Sequence, residues 1–249
     1  MGTRALIINA DDLGIDPAVD RGILQAMREG VVSSATLMVN MPHAEAAARE
    51  AAGLSLGLHL NLCRGAPVWS DFPKEHLGAD GNFTEPRAAS LPADVVEAET
   101  RAQLARFKAL TGRAATHVDV HRHLHLHADV LEGLARVAAA EKLPVRSVDS
   151  IMRHTLKTRG VATNTHFLGD TGAEPYWTLD RLESELVTLP GEGIIELMCH
   201  PGHRPETLKS SYAAQREVEL ATFLNPRVRE VLERTGIKPV DFRVLSQGT

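Results

Sequence analysis

Eight short apolar runs of strand character alternate along the chain with segments whose apolar residues recur at helical spacing, and this alternation leaves few architectures open. The runs lie at 5–10, 35–39, 55–62, 116–120, 145–148, 162–168, 194–199 and 240–245, the sixth being the weakest. The helical segments lie at 17–29, 44–52, 93–110, 128–141, 179–189 and 208–224. Parallel strands need a crossover and a helix after each strand supplies it, so the pattern predicts βα units around a parallel sheet. The punctuation agrees: Asp16 stands as a cap before Pro17, and Gly30, Gly112 and Gly236 fall where helices should stop. The expectation is a (β/α) TIM-type barrel, irregular or incompletely closed, as one domain over residues 1–249. The segment 64–90, rich in Gly, Pro and Asp with an exposed-looking Trp69, has no period and is expected to be a long loop on the functional rim.

A barrel of this kind builds its site at the C-terminal ends of its strands. Asp11 and Asp12 follow the first run, Asn40 the second, His121 the fourth, Asp149 the fifth and His200 the seventh, while His59 and Asn61 lie late in the third. Any one of these has an ordinary explanation; an Asp pair before Leu13-Gly14 is often only a turn or helix cap. Jointly they point to one mouth. Five of the twelve histidines crowd into residues 117–127, more than core packing requires, and an Asp and His set drawn from several strand ends suits a catalytic metal. Not all five can ligate one ion. If the fourth run is a strand, Asp119 and His121 share a face. His121 is then the ligand, with Asp119, His123 and His125 beside it or facing substrate, and His117 and His127 as surface or capping residues.

The net charge of −5, with basic residues scattered among acidic ones, argues against nucleic acid or an anionic membrane as partner. No apolar stretch reads as a signal peptide or membrane span, so the expectation is a cytoplasmic chain acting on a small molecule, with a homodimer allowed. Cys63 and Cys199 read as reduced thiols in apolar runs. Cys199 beside His200 does not make a nucleophile–base pair, because neighbours in a strand face opposite ways. Two other readings stay open at this point. One is a metal-dependent hydrolase of another bond, a phosphoester or a cyclic amide. The other is a non-catalytic barrel that binds sugar or metal.

The motifs Asn9-Ala-Asp-Asp-Leu-Gly14, Gly57-Leu-His-Leu60, Thr116-His-Val-Asp-Val-His-Arg-His-Leu-His125 and Glu196-Leu-Met-Cys-His-Pro-Gly202, with the later Tyr212, Arg216 and Glu219, resemble in order those of the YdjC-like (ChbG–HpnK) carbohydrate deacetylases. The resemblance implies a (β/α) barrel that removes an N-acetyl group from an amino sugar with one divalent metal ion. By motif, Asp12, His59 and His121 match the metal ligands, Asp11 the general base and His200 the general acid. Arg146 matches an arginine paired with that base, and Asn40, Asn61, Asp119, His123, His125 and Tyr212 are candidates for substrate contact or for supporting the ligands. Leu13, Val120 and Arg122 stand where the family usually has Phe, Ser and His. The chemistry fits the residues: an acetamide needs an activated water, a stabilised oxyanion and a proton for the amine. Imidazole ligands suit Zn, Mn or Co somewhat better than Mg, although a carboxylate with waters can also hold Mg.

Overall fold

A computed structural model describes residues 4–169 and 176–246. Strands β1 (Arg4–Leu13), β2 (Ser34–Leu37), β3 (Leu56–Leu60) and β4 (Val118–Val120) are separated by helices α1 (Pro17–Arg28), α2 (Ala44–Glu50), the short α3 (Glu85–Ala88) and α4 (Ala93–Thr111). After β4 come α5 (Ala128–Glu141), α6 (Ser150–Thr158), β5 (His166–Leu168), α7 (Leu179–Thr188), β6 (Ile194–Cys199), α8 (Ala213–Leu224), α9 (Pro226–Thr235) and β7 (Ile237–Val240). Every strand pairing is parallel, in the order β4-β3-β2-β1-β6-β5, with β7 attached to β1. The result is an α/β, (β/α) barrel-like fold. Its open side is spanned by irregular chain rather than a full strand: Val145 bridges Val118 and donates its N–H to the Ala162 carbonyl at 3.0 Å.

The strand period of two decides what fills the middle. Leu6, Ile8 and Ala10 of β1 pack outward into the main core, under the helices, whereas Ile7 joins a small cluster with Phe242 and Leu245. Asn9 and Asp11 continue the phase of Ile7; Thr36 and Asp119 meet Asn9 through hydrogen bonds, Glu196 meets Arg146, and His59 joins the group through Asp119. The barrel thus has an apolar shell and a polar upper interior.

Five expectations are corrected. The fifth run contributes a single bridge, because Pro144 precedes it and Asp149 already caps α6, its side chain accepting from the Met152 N–H at 2.7 Å. The eighth run is displaced: β7 ends at Val240, and Asp241 caps a 3-10 turn over Phe242–Leu245. The long helical segment 208–224 is helical only from Ala213. His117 is no surface residue. It is fully buried and stacks on Phe242 with ring centroids 3.5 Å apart, and a Cβ at Gly57 would come within 2.3 Å of its ring, so glycine makes that stack possible. Trp69 is likewise half-buried, edge-on to Phe72, with its N–H held by Glu99. The segment 64–90 connects β3 to α4 and contains a 3-10 turn over Lys74–His76 and the short α3.

Candidate metal centre

Asp12, near the end of β1, sits within an irregularity in the β1–β2 register between Ala10 and Leu13, and its φ is +74°. A left-handed non-glycine conformation costs on the order of 1 kcal/mol. Here it lets two consecutive aspartates face inward, which a regular strand forbids. A second distortion follows β4, where Arg122 and His123 have φ of 56° and 51° inside a 3-10 turn. That turn brings His121 onto Asp12 and sends His123 toward Phe167, with ring centroids 5.7 Å apart.

The three candidate ligands converge. Asp12 Oδ1 lies 3.3 Å from His59 Nε2 and 3.1 Å from His121 Nδ1, and the two ring nitrogens are 3.1 Å apart. An ion ~2.1 Å from each ligand atom requires ligand–ligand edges of ~3.0 Å in an octahedron and ~3.4 Å in a tetrahedron. The observed edges lie in that interval, and the residues fit a divalent cation. The support is also in place. His59 Nδ1 faces Asp119 Oδ1 at 2.7 Å, which fixes the ring and leaves Nε2 to point at Asp12. Arg216 donates to Asp12 Oδ2 at 2.5 Å, whereas the buried Oδ1 has no hydrogen-bond donor. Burial opposes protonation of His59, yet Asp119, Asp12 and Asp11 outweigh it and raise the imidazole to about 10. The site is short of positive charge.

Beneath this group Arg146, fully buried, grips Asp11 with both terminal nitrogens, at 2.6 Å and 2.8 Å, and reaches Asp119 at 2.9 Å and Glu196 at 2.5 Å. Burial pushes Asp11 up, but Arg146 prevails and holds its carboxyl well below the usual range. Glu196 is pushed up to about 8 by burial, against the pull of Arg146, and its Oε2 has no partner. Asp11, His59 and Asp119 make a second acidic group of metal-ligand spacing among the described residues. Because Asp11 and Asp119 already share one guanidinium, and His59 belongs to both groups, the arrangement favours a single ion.

A cavity of about 320 Å³ opens over the Asp12–His121 edge and is lined also by His200, Tyr212, Arg64, Arg122, Lys209 and Arg216. His200 is half-buried and edge-on to Tyr212, with centroids 5.4 Å apart; burial first, then Arg216 and His59, push its imidazole down to about 4. Other candidates lie elsewhere. The Asn40 and Asn61 amides both donate to the Arg64 carbonyl, at 3.0 Å and 2.7 Å, and so tie down the segment that follows β3. His125 is fully buried, and His123 lines a neighbouring cavity of about 530 Å³ with Arg122 and Phe167. His127 is exposed at the start of α5. Arg216, Glu219, Asn9, Thr36 and Glu196 carry no assigned role in the sequence reading. A lone acid inside the apolar run of β6, and the alternation of Asn9 with Asp11, were the signals available.

His121→Ala should remove most bound metal, whereas His127→Ala should leave metal content at the wild-type level. Elemental analysis after dialysis checks both, and equal loss in the two variants would show that the histidine tract binds unspecifically.

A barrel-like fold with an Asp–His–His group at its C-terminal rim, over a buried Asp–Arg pair, defines a class of α/β barrel whose rim residues could hold a metal ion. The YdjC-like protein family profile matches residues 5–234, and the chain belongs to that family. It is similar to the carbohydrate deacetylase of Geobacillus stearothermophilus, 38% identical over 248 residues that cover 96% of this chain and 97% of that one. The chitooligosaccharide deacetylase of Serratia marcescens is 34% identical over 250 residues, covering 94% and 96%. In structure, an Enterococcus faecalis V583 protein assigned to cellobiose-phosphate cleavage superposes with a TM-score of 0.86 at 26% identity, over 98% of this chain and 99% of that one.

Proposed function

We propose that the protein is a metal-dependent carbohydrate N-deacetylase, hydrolysing the acetamide of an amino sugar or oligosaccharide. The observation that carries the reading is the Asp12–His59–His121 group opening into the cavity that His200 lines, in a chain related over nearly its whole length to carbohydrate deacetylases. Asp12, His59 and His121 would hold the ion, which when bound supplies Lewis acidity to a water and to the amide carbonyl. Zn, Mn and Co suit the two imidazoles, and Mg is the alternative.

Asp11 takes the proton from the attacking water. Its Oδ1 already accepts from Asn9 and Arg146, but Oδ2 accepts only from Arg146, which leaves it one lone-pair site. His200 serves the other side of the reacting carbon. Held down to about 4, it rests neutral at pH 7, so it takes up a proton from solvent as it hands one to the departing amine, while the proton taken by Asp11 returns to solvent and the acid leaves as acetate.

The direct test is metal analysis of freshly purified protein with an acetate-release screen over N-acetylglucosamine mono- and oligosaccharides. Acetate release that stops with a chelator and returns with metal is expected. Release indifferent to metal, or none from any sugar, overturns the reading. Within it, His200→Ala should slow a sugar acetamide by roughly 10²–10⁴-fold while sparing an activated aryl ester, whose leaving group departs unprotonated. Equal losses on both substrates, with metal retained, would make His200 a positioning or oxyanion group.

A further inference from the structure

Strand β6 ends at Cys199, so the peptide of His200 has no partner in the sheet. Side chains from one helix replace that partner. Glu219, on α8 and only 1% exposed, accepts the His200 N–H on Oε2. Its Oε1 accepts the Tyr212 hydroxyl at 2.9 Å and the Trp177 backbone N–H at 3.2 Å. Three donors from three separate rim segments therefore meet on one carboxylate. One turn earlier on α8, Arg216 holds Asp12 Oδ2 and faces the His200 carbonyl at 3.5 Å. Tyr212, so anchored, lays its ring against the edge of His200. A buried acid costs several kcal/mol to desolvate unless its hydrogen bonds repay it, so a carboxylate here implies an acceptor need that no apolar residue meets.

We propose that Glu219 is a positioning residue that seats His200 and Tyr212 against the cavity, and that α8 thereby ties the placement of the His200 imidazole to that of the ligand Asp12. The proposal rests on the deacetylase reading only for its effect on rate. Glutamine at 219 keeps the shape, but its NH2 group must face at least one of the three donors and cannot accept from it. Glu219→Gln should therefore keep wild-type metal content while lowering kcat on a sugar acetamide by roughly tenfold, with KM changed less than about twofold.

A merely structural role is separated by a double-mutant cycle. Glu219→Gln combined with His200→Ala should be no slower, within about twofold, than His200→Ala alone, because both act through one imidazole. Fully additive losses overturn the proposal. The His200 ring resonances of metal-loaded protein, assigned by their disappearance in His200→Ala, give a readout that needs no substrate. They should move in Glu219→Gln and, to a smaller extent, in Tyr212→Phe, which keeps the ring and serves if Glu219→Gln does not fold. Unmoved resonances in the folded variants overturn the proposal. A moved resonance together with full acetamide activity in His200→Ala would leave the positioning intact and refute the role of His200 in the reaction.

Discussion

Arg146→Met should destabilise the protein by roughly 3–5 kcal/mol, the range for removing one partner of a buried ion network. Arg146 is the counter-ion of three buried carboxylates, Asp11, Asp119 and Glu196, and methionine fills its volume without any charge. At this chain length the loss corresponds to a fall in Tm of roughly 10 °C. The sign of its pH dependence follows from the carboxylates left behind. Without the guanidinium their folded pKa values rise above the unfolded ones, so the folded state binds more protons and the deficit shrinks as pH falls. In chelator, where no metal adds its own charge, the gap between wild type and variant should narrow from pH 8 to pH 5. Glu196→Gln is the control, since an amide oxygen can still accept from Arg146 Nε, and it should cost about 1 kcal/mol or less. A stable Arg146→Met protein with a flat pH profile would mean that the three carboxylates are neutralised by some other means.

The parts of the fold legible in the sequence are those set by local chemistry. The β6 run reads off correctly as Ile194–Cys199 because an apolar strand buried under helices has no polar interruption except Glu196. Asp16 accepts from the Ala18 N–H as a cap, and Gly112 and Gly236 end α4 and α9 at φ of +73° and +66°, where glycine carries no Cβ penalty. What misleads is alternation without a partner. Val240 to Leu245 has the period of a strand, yet Asp241 caps a turn that delivers Phe242 to His117, a contact between residues far apart in sequence. Helix α6 passes unmarked and α9 is marked only at its end, although Asp149-Ser150 and Asn225-Pro226 are starting signals of the ordinary kind.

The site divides in the same way. Asp12, His59 and His121 come together as strand-end position implies, because a parallel barrel gathers those ends whatever else the sequence does. Arg146 with Asp11 is also found as expected. Asn40 and Asn61 have partners that no linear pattern shows: their amides meet the carbonyl of Arg64, in the segment that follows β3. Arg216 and Glu219 have no role legible in the sequence, since their contacts are with residues 204 and 19 positions away. Three of the site's positions, Asp12, Arg122 and His123, hold left-handed backbone without being glycine. Such conformations persist only where the surroundings over-determine them, and here they aim the Asp12 carboxylate and separate His121 from His123.

Asp11→Asn should retain the metal and lose most of the turnover, by roughly 10²–10⁴-fold, the usual worth of general-base help. The aspartates are adjacent, but their surroundings assign them different work. Asp12 presents a carboxylate oxygen without a hydrogen-bond donor to two imidazoles, while Asp11 is held by Arg146 at both oxygens and keeps a site on Oδ2. Asp12→Asn should consequently weaken metal binding first, with activity recovering partly at high metal concentration. Asp11→Asn should not recover with metal at all. The amide also turns an N–H toward Arg146, which costs on the order of 1–3 kcal/mol, so thermal melts must accompany the kinetics and set a temperature at which the variant is folded. Metal titration, kcat and melting point together separate three outcomes. Metal retained with kcat lost supports Asp11 as the base. Metal lost from Asp11→Asn and retained in Asp12→Asn would exchange their roles. A folded, metal-replete Asp11→Asn with kcat near wild type would leave Asp11 as the anchor of Arg146 alone, and proton removal from the attacking water would then fall to His200, the imidazole that already lines the same cavity.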